Sequence, residues 1–305
     1  MPLETRPTVP TKDLQGCPAC GGVRAGLYFQ QESFRTLRCL SCGLVYNNPQ
    51  VLQRPIEEIY REDYFKSQNP ALGYEDYVAN KPDIQKTFAR RLGEIRNHVS
   101  GGKLLDAGCA CGFFLETAAG QGFQVEGIDC SSWATDYARQ QYPYRIVTGY
   151  LDQSTEFEAG TFDLITFWDL IEQVPDPKPL FAKAAQLLKP GGVLALTVRD
   201  IESLPARLLG RRWIHFRPRE KFVYFSRRSI RIFLESLGFE VLLSTRRNAG
   251  KDCTVDILLI KLTHAVPLLA RFFSAAADFF KLRGRHVYIN PGDTLLVLAR
   301  KKAKA

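Results

Sequence analysis

Short apolar runs alternate with amphipathic segments from residue 101 to the end of the chain. The runs are five to seven residues long and have the composition of buried strands; they are Lys103–Ala107, Gln124–Asp129, Tyr144–Thr148, Phe162–Trp168, Val193–Val198, Val241–Thr245 and Thr294–Ala299. Helices are predicted at Phe113–Ala119, from Ser131 or Ser132 to about Gln141, at Pro177–Lys189 and at Ser229–Leu237. Strands that alternate with helices favour right-handed crossovers. The sequence therefore predicts an α/β fold with a doubly wound, mostly parallel, seven-stranded sheet of Rossmann-like type.

Three parts of the chain do not follow this alternation. Residues 49–100 predict a helical connector or cap, whose aromatic residues we expect to pack on the next domain rather than contact a ligand; they include Tyr60, Tyr64, Phe65, Tyr74 and Tyr77. The domain at 101–305 contains two insertions, at 200–226 and 248–292. Both leave from the C-terminal ends of parallel strands, which is the edge that holds ligands in open α/β sheets. We expect them to cover the substrate.

The composition is that of a globular protein of about two domains. The chain has 305 residues, of which 45% are hydrophobic and 24% charged, and a net charge of +9. This charge suits an anionic substrate, a nucleic acid or a membrane surface, although solubility explains it equally well. No uncharged stretch of 18 apolar residues is present, which argues against a transmembrane helix, and residues 1–10 lack the apolar core of a secretory signal. We expect a cytoplasmic protein.

Four of the eight cysteines form two closely spaced pairs. Cys17 and Cys20 make one CxxC motif, Cys39 and Cys42 make a second, and 18 residues separate the two. Each pair can present two thiolates to one tetrahedral Zn²⁺, and glycines follow both motifs where the backbone must turn tightly. Free thiols or two disulfides are disfavoured by this spacing and by a reducing compartment. Residues 1–48 therefore predict a zinc ribbon, and four thiolates leave no open position, so the metal is structural.

A glycine-rich turn follows the first predicted strand of the large domain. It reads Asp106-Ala107-Gly108-Cys109-Ala110-Cys111-Gly112, which departs from the dinucleotide fingerprint because an aspartate replaces its first glycine. A carboxylate there would repel a pyrophosphate and favour a cationic ligand, such as the sulfonium and ammonium groups of S-adenosylmethionine. Asp129 ends the second strand, 21 residues after Gly108. That is the usual place of a carboxylate that accepts hydrogen bonds from ribose hydroxyls.

These segments resemble class I S-adenosylmethionine-dependent methyltransferases of the ubiquinone-methyltransferase-like branch. The resemblance covers about residues 100–245. It lies in the first motif at 104–112, the post-I motif at 125–129, the FDxIxxxDxxEHxxDP stretch at 162–177 and the LKPGG turn at 188–192. A zinc ribbon followed by Tyr46-Asn47-Asn48-Pro49 also looks like an N-terminal extension common in that branch.

The resemblance implies a set of residues that bind the cofactor. They are Asp106, Gly108, Cys109 and Gly112 at the glycine-rich turn, Asp129 at the ribose, Cys130 or Ser131 beside the adenine, Tyr150 and Leu151 at its border, and Trp168 and Asp169 close to the methyl group. Core packing is the alternative for Trp168. In place of the histidine of the Glu-His pair that the branch often shows, this chain has Gln173 after Glu172. Metal-assisted catalysis at that position is therefore not expected.

Candidates for a general base are sparse. His98 precedes the first strand, on the wrong side of the sheet, while His264 and His286 lie in the second insertion. His215 lies in the first insertion and is the favoured base, with Glu220 and Tyr224 as the other candidates. A lid histidine without a catalytic role is the alternative, and an acceptor that is already anionic needs no base.

The two insertions differ in composition. The first is basic and is interleaved with aromatic residues, so it suits a phosphorylated acceptor or RNA, or else forms a charged surface; its basic residues and those beside it are Arg207, Arg211, Arg212, Arg217, Arg219, Lys221, Arg227, Arg228 and Arg231. The second contains Leu262–Leu282, which predicts a largely apolar helix that begins near Pro267. Such a helix can roof the site, pair two subunits or make peripheral membrane contact.

The leading hypothesis is a methyltransferase with S-adenosylmethionine and structural Zn²⁺ as cofactors. Its acceptor is a small molecule, such as a sugar, an isoprenoid, a lipid or a secondary metabolite, and O-methylation is favoured over methylation of carbon or nitrogen. The alternative is an RNA methyltransferase that uses the ribbon and the arginines. Nucleic acid is disfavoured because the fourth strand ends Phe167-Trp168-Asp169-Leu170, unlike enzymes that methylate base amines. A non-catalytic interaction protein is a third interpretation, against which the glycine-rich turn and Asp129 argue.

Overall fold

We analysed a computed structural model, which describes residues 11–31, 34–51, 60–66, 76–218, 220–259, 273–275 and 277–302. The described residues exclude four positions named in the predictions, which are Tyr74, Arg219, His264 and Pro267. They also exclude most of the helix predicted at 262–282.

The helices and strands alternate along the chain after an all-β beginning. The strands are β1 (Thr11–Lys12), β2 (Ala25–Gln31), β3 (Phe34–Cys39), β4 (Val45–Asn47), β5 (Gln50–Val51), β6 (Gly102–Ala107), β7 (Phe123–Asp129), β8 (Arg145–Thr148), β9 (Phe162–Phe167), β10 (Leu188–Arg199), β11 (Val223–Tyr224), β12 (Phe239–Thr245), β13 (Lys251–Thr254), β14 (His286–Ile289) and β15 (Thr294–Lys301). The labelled α-helices are α1 (Glu62–Phe65), α2 (Lys81–Ile95), α3 (Phe113–Ala119), α4 (Ser132–Gln141), α5 (Pro177–Leu187), α6 (Leu204–Leu209) and α7 (Arg227–Ser236).

The large sheet has seven strands in the order β12-β15-β10-β9-β6-β7-β8. Only β15 runs antiparallel to its neighbours, β10 and β12. The predicted doubly wound, mostly parallel sheet is thus confirmed. Its central strands are buried on both faces, as the apolar residues of β6, β9 and β10 require. The parallel strands β6, β7, β9 and β10 all end at one edge, where the chain turns into loops.

The cysteine-rich segment shares a sheet with the first insertion. Strands β2, β3 and β4 form an antiparallel meander, and β11 adds a fourth strand through the pairs Val223–Tyr46 and Tyr224–Val45. The Asn47 amide group donates to the backbone oxygens of Pro218 (2.6 Å) and Lys221 (2.8 Å). The division into a ribbon at 1–48 and a domain at 101–305 stays a prediction, but these two parts are joined by backbone pairing.

The second insertion is docked against the helix that precedes the large sheet. Its strands β13 and β14 form an antiparallel hairpin. Asp252 on β13 accepts two hydrogen bonds from the Arg90 guanidinium of α2 (2.9 and 3.1 Å), and its backbone N–H donates to Thr87 (2.8 Å). His286 on β14 contacts Asp83 of the same helix. Among the residues described here, no helix is long and apolar enough to cross a membrane.

Candidate functional site

The glycine-rich turn joins β6 to α3 at the C-terminal edge of the sheet. Gly108 and Gly112 adopt φ values of +80° and +78°, a region that favours glycine. A Cβ atom on Gly112 would lie 3.1 Å from the Tyr142 ring, so a side chain at this position would require that ring to shift. The backbone N–H groups of Gly108 and Cys109 donate to Ile128 of β7 (2.8 and 3.2 Å), which fixes the turn against the neighbouring strand.

Asp129 holds the end of β7 against that turn. One carboxylate oxygen accepts a hydrogen bond from the Ala110 N–H and the other from the Ser131 N–H, both at 2.8 Å. Burial raises the pKa of Asp129, while these two backbone donors lower it. The Cys130 side chain also hydrogen-bonds this carboxylate. The residue remains partly accessible to solvent, and a carboxylate with about four lone-pair sites keeps capacity for a further donor. A carboxylate held in this way fits the two hydroxyls of a ribose.

The other residues predicted to bind the cofactor differ in how accessible their side chains are at the C-terminal edge of the sheet. Asp106 is fully buried and accepts a hydrogen bond from Thr166 (2.5 Å), and burial raises the pKa of its carboxyl well above the ordinary value. The Cys109 side chain packs in the core beside Gly127, so only its backbone can face a ligand. Ser131 caps α4 and donates to the backbone oxygen of Tyr60 (2.6 Å), so its hydroxyl is already engaged.

The remaining positions on the predicted adenine side follow β7 and β8. Cys130 and Tyr150 are partly exposed, whereas Leu151 is buried in the core. An aromatic group lies over the start of α4, with Phe65 stacked on Trp133 at 4.9 Å between ring centroids. Among the described aromatic residues of 49–100, Phe65 and Tyr77 thus pack on the large domain.

Trp168 and Asp169 follow β9, and their side chains lie in different environments. Trp168 is buried against Phe114 and Phe88, with ring centroids 5.1 and 5.9 Å away. Asp169 has a left-handed backbone (φ +52°), and its backbone oxygen accepts a hydrogen bond from Gln173 (3.0 Å). The position that lacks the family's histidine therefore holds the backbone of Asp169.

Asp169 belongs to a cluster of charged residues on the same edge. Its carboxylate contacts Arg199 at 3.1 Å and Lys251 at 3.0 Å. Burial opposes its ionisation, but the charges of Lys251 and Arg199 outweigh burial and hold the pKa of Asp169 well below its ordinary value. Arg199 ends β10, beside the end of β9 in the sheet, and Lys251 begins β13. The sheet edge and the second insertion therefore meet at Asp169.

His215 brings the first insertion to this cluster. Its Nε2 lies 3.7 Å from Asp293, which is too long for a hydrogen bond, and the Asp293 carboxylate accepts a hydrogen bond from the Trp213 indole (2.9 Å). Burial and the positive charges of Arg199, Lys221 and Lys251 lower the pKa of His215 to about 2. The imidazole is thus neutral at physiological pH. An ordinary histidine would instead titrate near pH ~6.5.

The depressed pKa of His215 makes the fold sensitive to acid. Between pH ~6.5 and ~2 the unfolded chain binds a proton at this residue and the folded chain does not, so stability falls as the pH falls. We expect wild type to lose roughly 2 kcal/mol more than His215→Gln between pH 7 and pH 5. Urea unfolding of both proteins at each pH measures this difference. Equal losses would show that His215 titrates normally in the folded protein.

The two other predicted bases lie elsewhere. Glu220 is exposed and pairs with Arg217 at 3.2 Å. Tyr224 lies on β11, buried with Trp213 and Phe216 in an apolar cluster that also contains Val45 of the ribbon. Burial raises the pKa of Tyr224 far above its ordinary value. The structure thus brings only His215, of the three candidates, together with Asp169.

Most arginines of the basic insertion face solvent. Arg207, Arg211, Arg212 and Arg231 are exposed, and Arg228 donates to the backbone oxygen of Ser41 in the ribbon (3.2 Å). They do not converge on the sheet edge. Lys221 is the exception, since its ammonium lies beside Glu172, His215 and Arg199.

The four N-terminal cysteines converge as the spacing predicts. Their sulfur atoms all lie within 4.8 Å of one another, with Cys17–Cys42 at 3.5 Å and Cys20–Cys39 at 3.6 Å. All four are free thiols. A tetrahedron with Zn–S bonds of about 2.3 Å has sulfurs about 3.8 Å apart, so the cluster fits Zn²⁺. The predicted Cys₄ site is confirmed, and four sulfurs leave no place for a metal-bound water.

Comparison with known proteins assigns the fold to a class. A family described as "Methyltransferase domain" matches residues 79–244, more than half of the chain. The chain belongs to this methyltransferase family, which confirms the predictions of a methyltransferase and of S-adenosylmethionine as its cofactor at the level of the family.

Individual relatives agree with this assignment. Ubiquinone biosynthesis O-methyltransferase from Idiomarina loihiensis is 35% identical over 132 residues, which cover 39% of this chain and 54% of that protein. The enzyme of the same name from Burkholderia multivorans is 34% identical over 124 residues, covering 38% and 53%. The chain therefore spans about half the length of the curated relatives it matches.

A solved structure supports the fold alone. Magnesium protoporphyrin IX methyltransferase from Synechocystis PCC 6803, solved with bound SAH, aligns with a TM-score of 0.51 and 16% identity. The alignment covers 81% of this chain and 98% of that chain.

Several site residues were not predicted as such from the sequence. Arg199, Lys251 and Asp293 were not identified, and Lys221 was counted only as one of many basic residues. Arg199 could have been identified from the sequence, because it ends β10, and β10 pairs with β9, the strand that ends before Asp169. No sequence pattern marks Lys251 or Asp293 as site residues, because their positions depend on how the second insertion folds back.

Proposed function

We propose that this protein transfers a methyl group from S-adenosylmethionine to an oxygen atom of a small molecule. The observation that carries the proposal is that one sheet edge carries two groups of residues, one suited to the cofactor and one suited to the acceptor. The glycine-rich turn and Asp129 lie at the ends of β6 and β7, and the cluster around Asp169 and His215 lies at the ends of β9 and β10. The names of the curated relatives support oxygen as the acceptor atom.

The cofactor half consists of backbone and one carboxylate. Gly108 and Gly112 let the backbone approach a ligand, and Asp129 would hold the ribose. Bound there, S-adenosylmethionine would supply a methyl group on a sulfonium, whose sulfur leaves readily as a neutral thioether. The enzyme then has mainly to orient the acceptor and exclude water. Asp106 lies behind the turn, where its hydrogen bond with Thr166 ties β6 to β9.

The acceptor half contains the neutral imidazole of His215. In that state it accepts a hydrogen bond from a hydroxyl without first losing a proton. With a pKa of about 2 it is a weak base, so its main contribution is to orient the hydroxyl and to receive its proton as the hydroxyl becomes more acidic during transfer. Asp169 lies beside it, and its ion pairs with Arg199 and Lys251 hold the surrounding side chains in place.

Replacement of Asp129 tests the cofactor half directly. We expect Asp129→Ala to weaken binding of S-adenosylmethionine and its demethylated product by roughly 1.5–3 kcal/mol, because hydrogen bonds to a charged acceptor are lost. Calorimetry measures both affinities. Asp136→Ala is the matched control, since Asp136 is an exposed aspartate on α4 that pairs with Arg139. Unchanged affinity in Asp129→Ala would mean that the ribose binds elsewhere.

The RNA alternative is not favoured. The relatives are named for ubiquinone biosynthesis, and the arginines that were expected to hold RNA are spread over the surface of the insertion and α7. Binding to RNA that falls steeply with salt would support that alternative.

A further inference from the structure

Three cations from separate parts of the chain lie near enough to His215 for their charges to lower its pKa. We call Arg199, Lys221 and Lys251 the cationic pocket. Arg199 ends β10, Lys221 comes from the first insertion, and Lys251 from the second, and all three lie close enough to depress the pKa of His215. The pocket therefore lies where both insertions meet the sheet edge.

Two of these cations have good partners. Arg199 contacts Asp169 (3.1 Å) and donates to Thr294 (2.5 Å), and Lys251 contacts the other oxygen of Asp169 (3.0 Å). Both cations thus have acceptors within hydrogen-bond distance, and they share the single negative charge of Asp169. They form the fixed wall of the pocket.

Lys221 is different. Its side chain is only 13% exposed, yet within the described part of the chain its one ion pair is with Glu172, whose oxygen lies 3.9 Å away. That oxygen already accepts the Arg199 backbone N–H at 2.7 Å. Asp293, the remaining carboxylate beside His215, accepts the Trp213 indole. A separation of 3.9 Å is not a hydrogen bond, so the Lys221 ammonium has no close acceptor among the residues that the structure describes.

The Lys221 side chain is largely withdrawn from solvent, and an ammonium in such surroundings without a close protein acceptor is costly unless water or a ligand supplies one. Burial and the nearby charges of Arg199 and Lys251 lower the pKa of Lys221, against the opposing effect of Glu172 and Asp169. The pocket also opens outwards, since His215 is 27% exposed and Lys251 is 44% exposed. Lys221 itself keeps 13% of its side chain exposed, so solvent reaches all three of these side chains.

We propose that the methyl acceptor carries an anionic oxygen group, a carboxylate or a phosphate, and that Lys221 binds it with help from Arg199 and Lys251. The inference rests on the proposed function, because it places this group in the acceptor half of the site. It also relocates the anion site from the exposed arginines to the cationic pocket. His215 then faces another part of the same molecule.

The test uses simple anions and their neutral counterparts on the full chain saturated with S-adenosylhomocysteine. Calorimetry compares benzoate with benzamide, and phenyl phosphate with phenol. We expect saturable binding of one anion, at least about tenfold tighter than its neutral counterpart, as a hydrogen bond between charged groups predicts. Binding of benzoate would identify the anionic group as a carboxylate, and binding of phenyl phosphate would identify it as a phosphate. In Lys221→Met this preference should disappear, while Arg207→Met, an exposed cation of α6, should keep it.

The outcomes separate this inference from the proposed function. Equal binding of anions and neutral molecules, no saturable anion binding, or a preference that survives in Lys221→Met would overturn the anion site. Affinity for S-adenosylhomocysteine is measured in the same proteins and should be equal in all three, which also shows that Lys221→Met is folded. Failure to bind S-adenosylhomocysteine would instead overturn the proposed function, and the anion titrations would remain interpretable without it.

Discussion

Replacing Cys39 and Cys42 with serine should remove the zinc and lower the free energy of unfolding by roughly 4 kcal/mol or more. Structural Zn²⁺ contributes apparent binding energies of roughly 10–16 kcal/mol in zinc-finger peptides, and this energy is folding energy. Loss of the metal should also destabilise the large domain, because Cys17, Cys39 and Cys42 are packed in the same apolar cluster as its Phe225. A loss of that size lowers the unfolding midpoint by roughly 10 °C.

Elemental analysis and thermal unfolding measure this prediction. Wild type should hold one zinc per chain, and Cys253→Ser is the matched control because Cys253 lies on β13, outside the cluster. One zinc retained by the double variant would show that other ligands hold the metal. Because Asn47 binds the backbone of Pro218 and Lys221, we expect acceptor turnover to fall more than affinity for S-adenosylhomocysteine.

Replacing His215 with alanine should lower kcat by roughly 10²–10⁴-fold if the imidazole receives the acceptor proton. Affinity for S-adenosylhomocysteine should not change, since His215 lies in the acceptor half. The wild-type pH–rate profile should show no limb near pH ~6.5, because burial and the cationic pocket lower the pKa of His215 to about 2. Steady-state rates from pH 5 to 9 measure both effects once an acceptor is known.

The matched control is His98→Ala, an exposed histidine before the first strand of the large sheet. A wild-type limb near pH ~6.5 that vanishes in His215→Ala would contradict the depressed pKa. Full activity in His215→Ala would remove it from the mechanism. Glu220→Gln and Tyr224→Phe should then be compared, although their exposure and burial respectively argue against both.

The cofactor side of the site was predictable because its signals are local. Asp106 to Gly112 form one turn, Asp129 follows one strand later, and each CxxC pair is a single loop. Few contacts between residues distant in sequence are needed for the positive φ values of Gly108 and Gly112 or for the convergence of the four sulfurs. Spacing along the chain therefore carries most of the information for these two features.

The acceptor side was not predictable in the same way. Lys221 and Arg212 are both basic residues of one insertion, yet one is buried beside Glu172 and the other is exposed. That difference arises from the packing of Trp213, Phe216 and Tyr224 on the ribbon, which turns Lys221 inwards. A two-residue strand such as β11 leaves no periodic pattern, so pairing of the ribbon with the insertion in one sheet could not be predicted.

The pairing of β4 with β11 imposes an order on synthesis. The two zinc knuckles lie within 26 residues of each other and can close as soon as they leave the ribosome, whereas β4 must wait for residues 223 and 224. Until then β4 is an open strand edge beside a completed metal site, and such edges invite wrong pairing. Metal loading can therefore precede the pairing that covers β4, so the two steps occur at different times in synthesis.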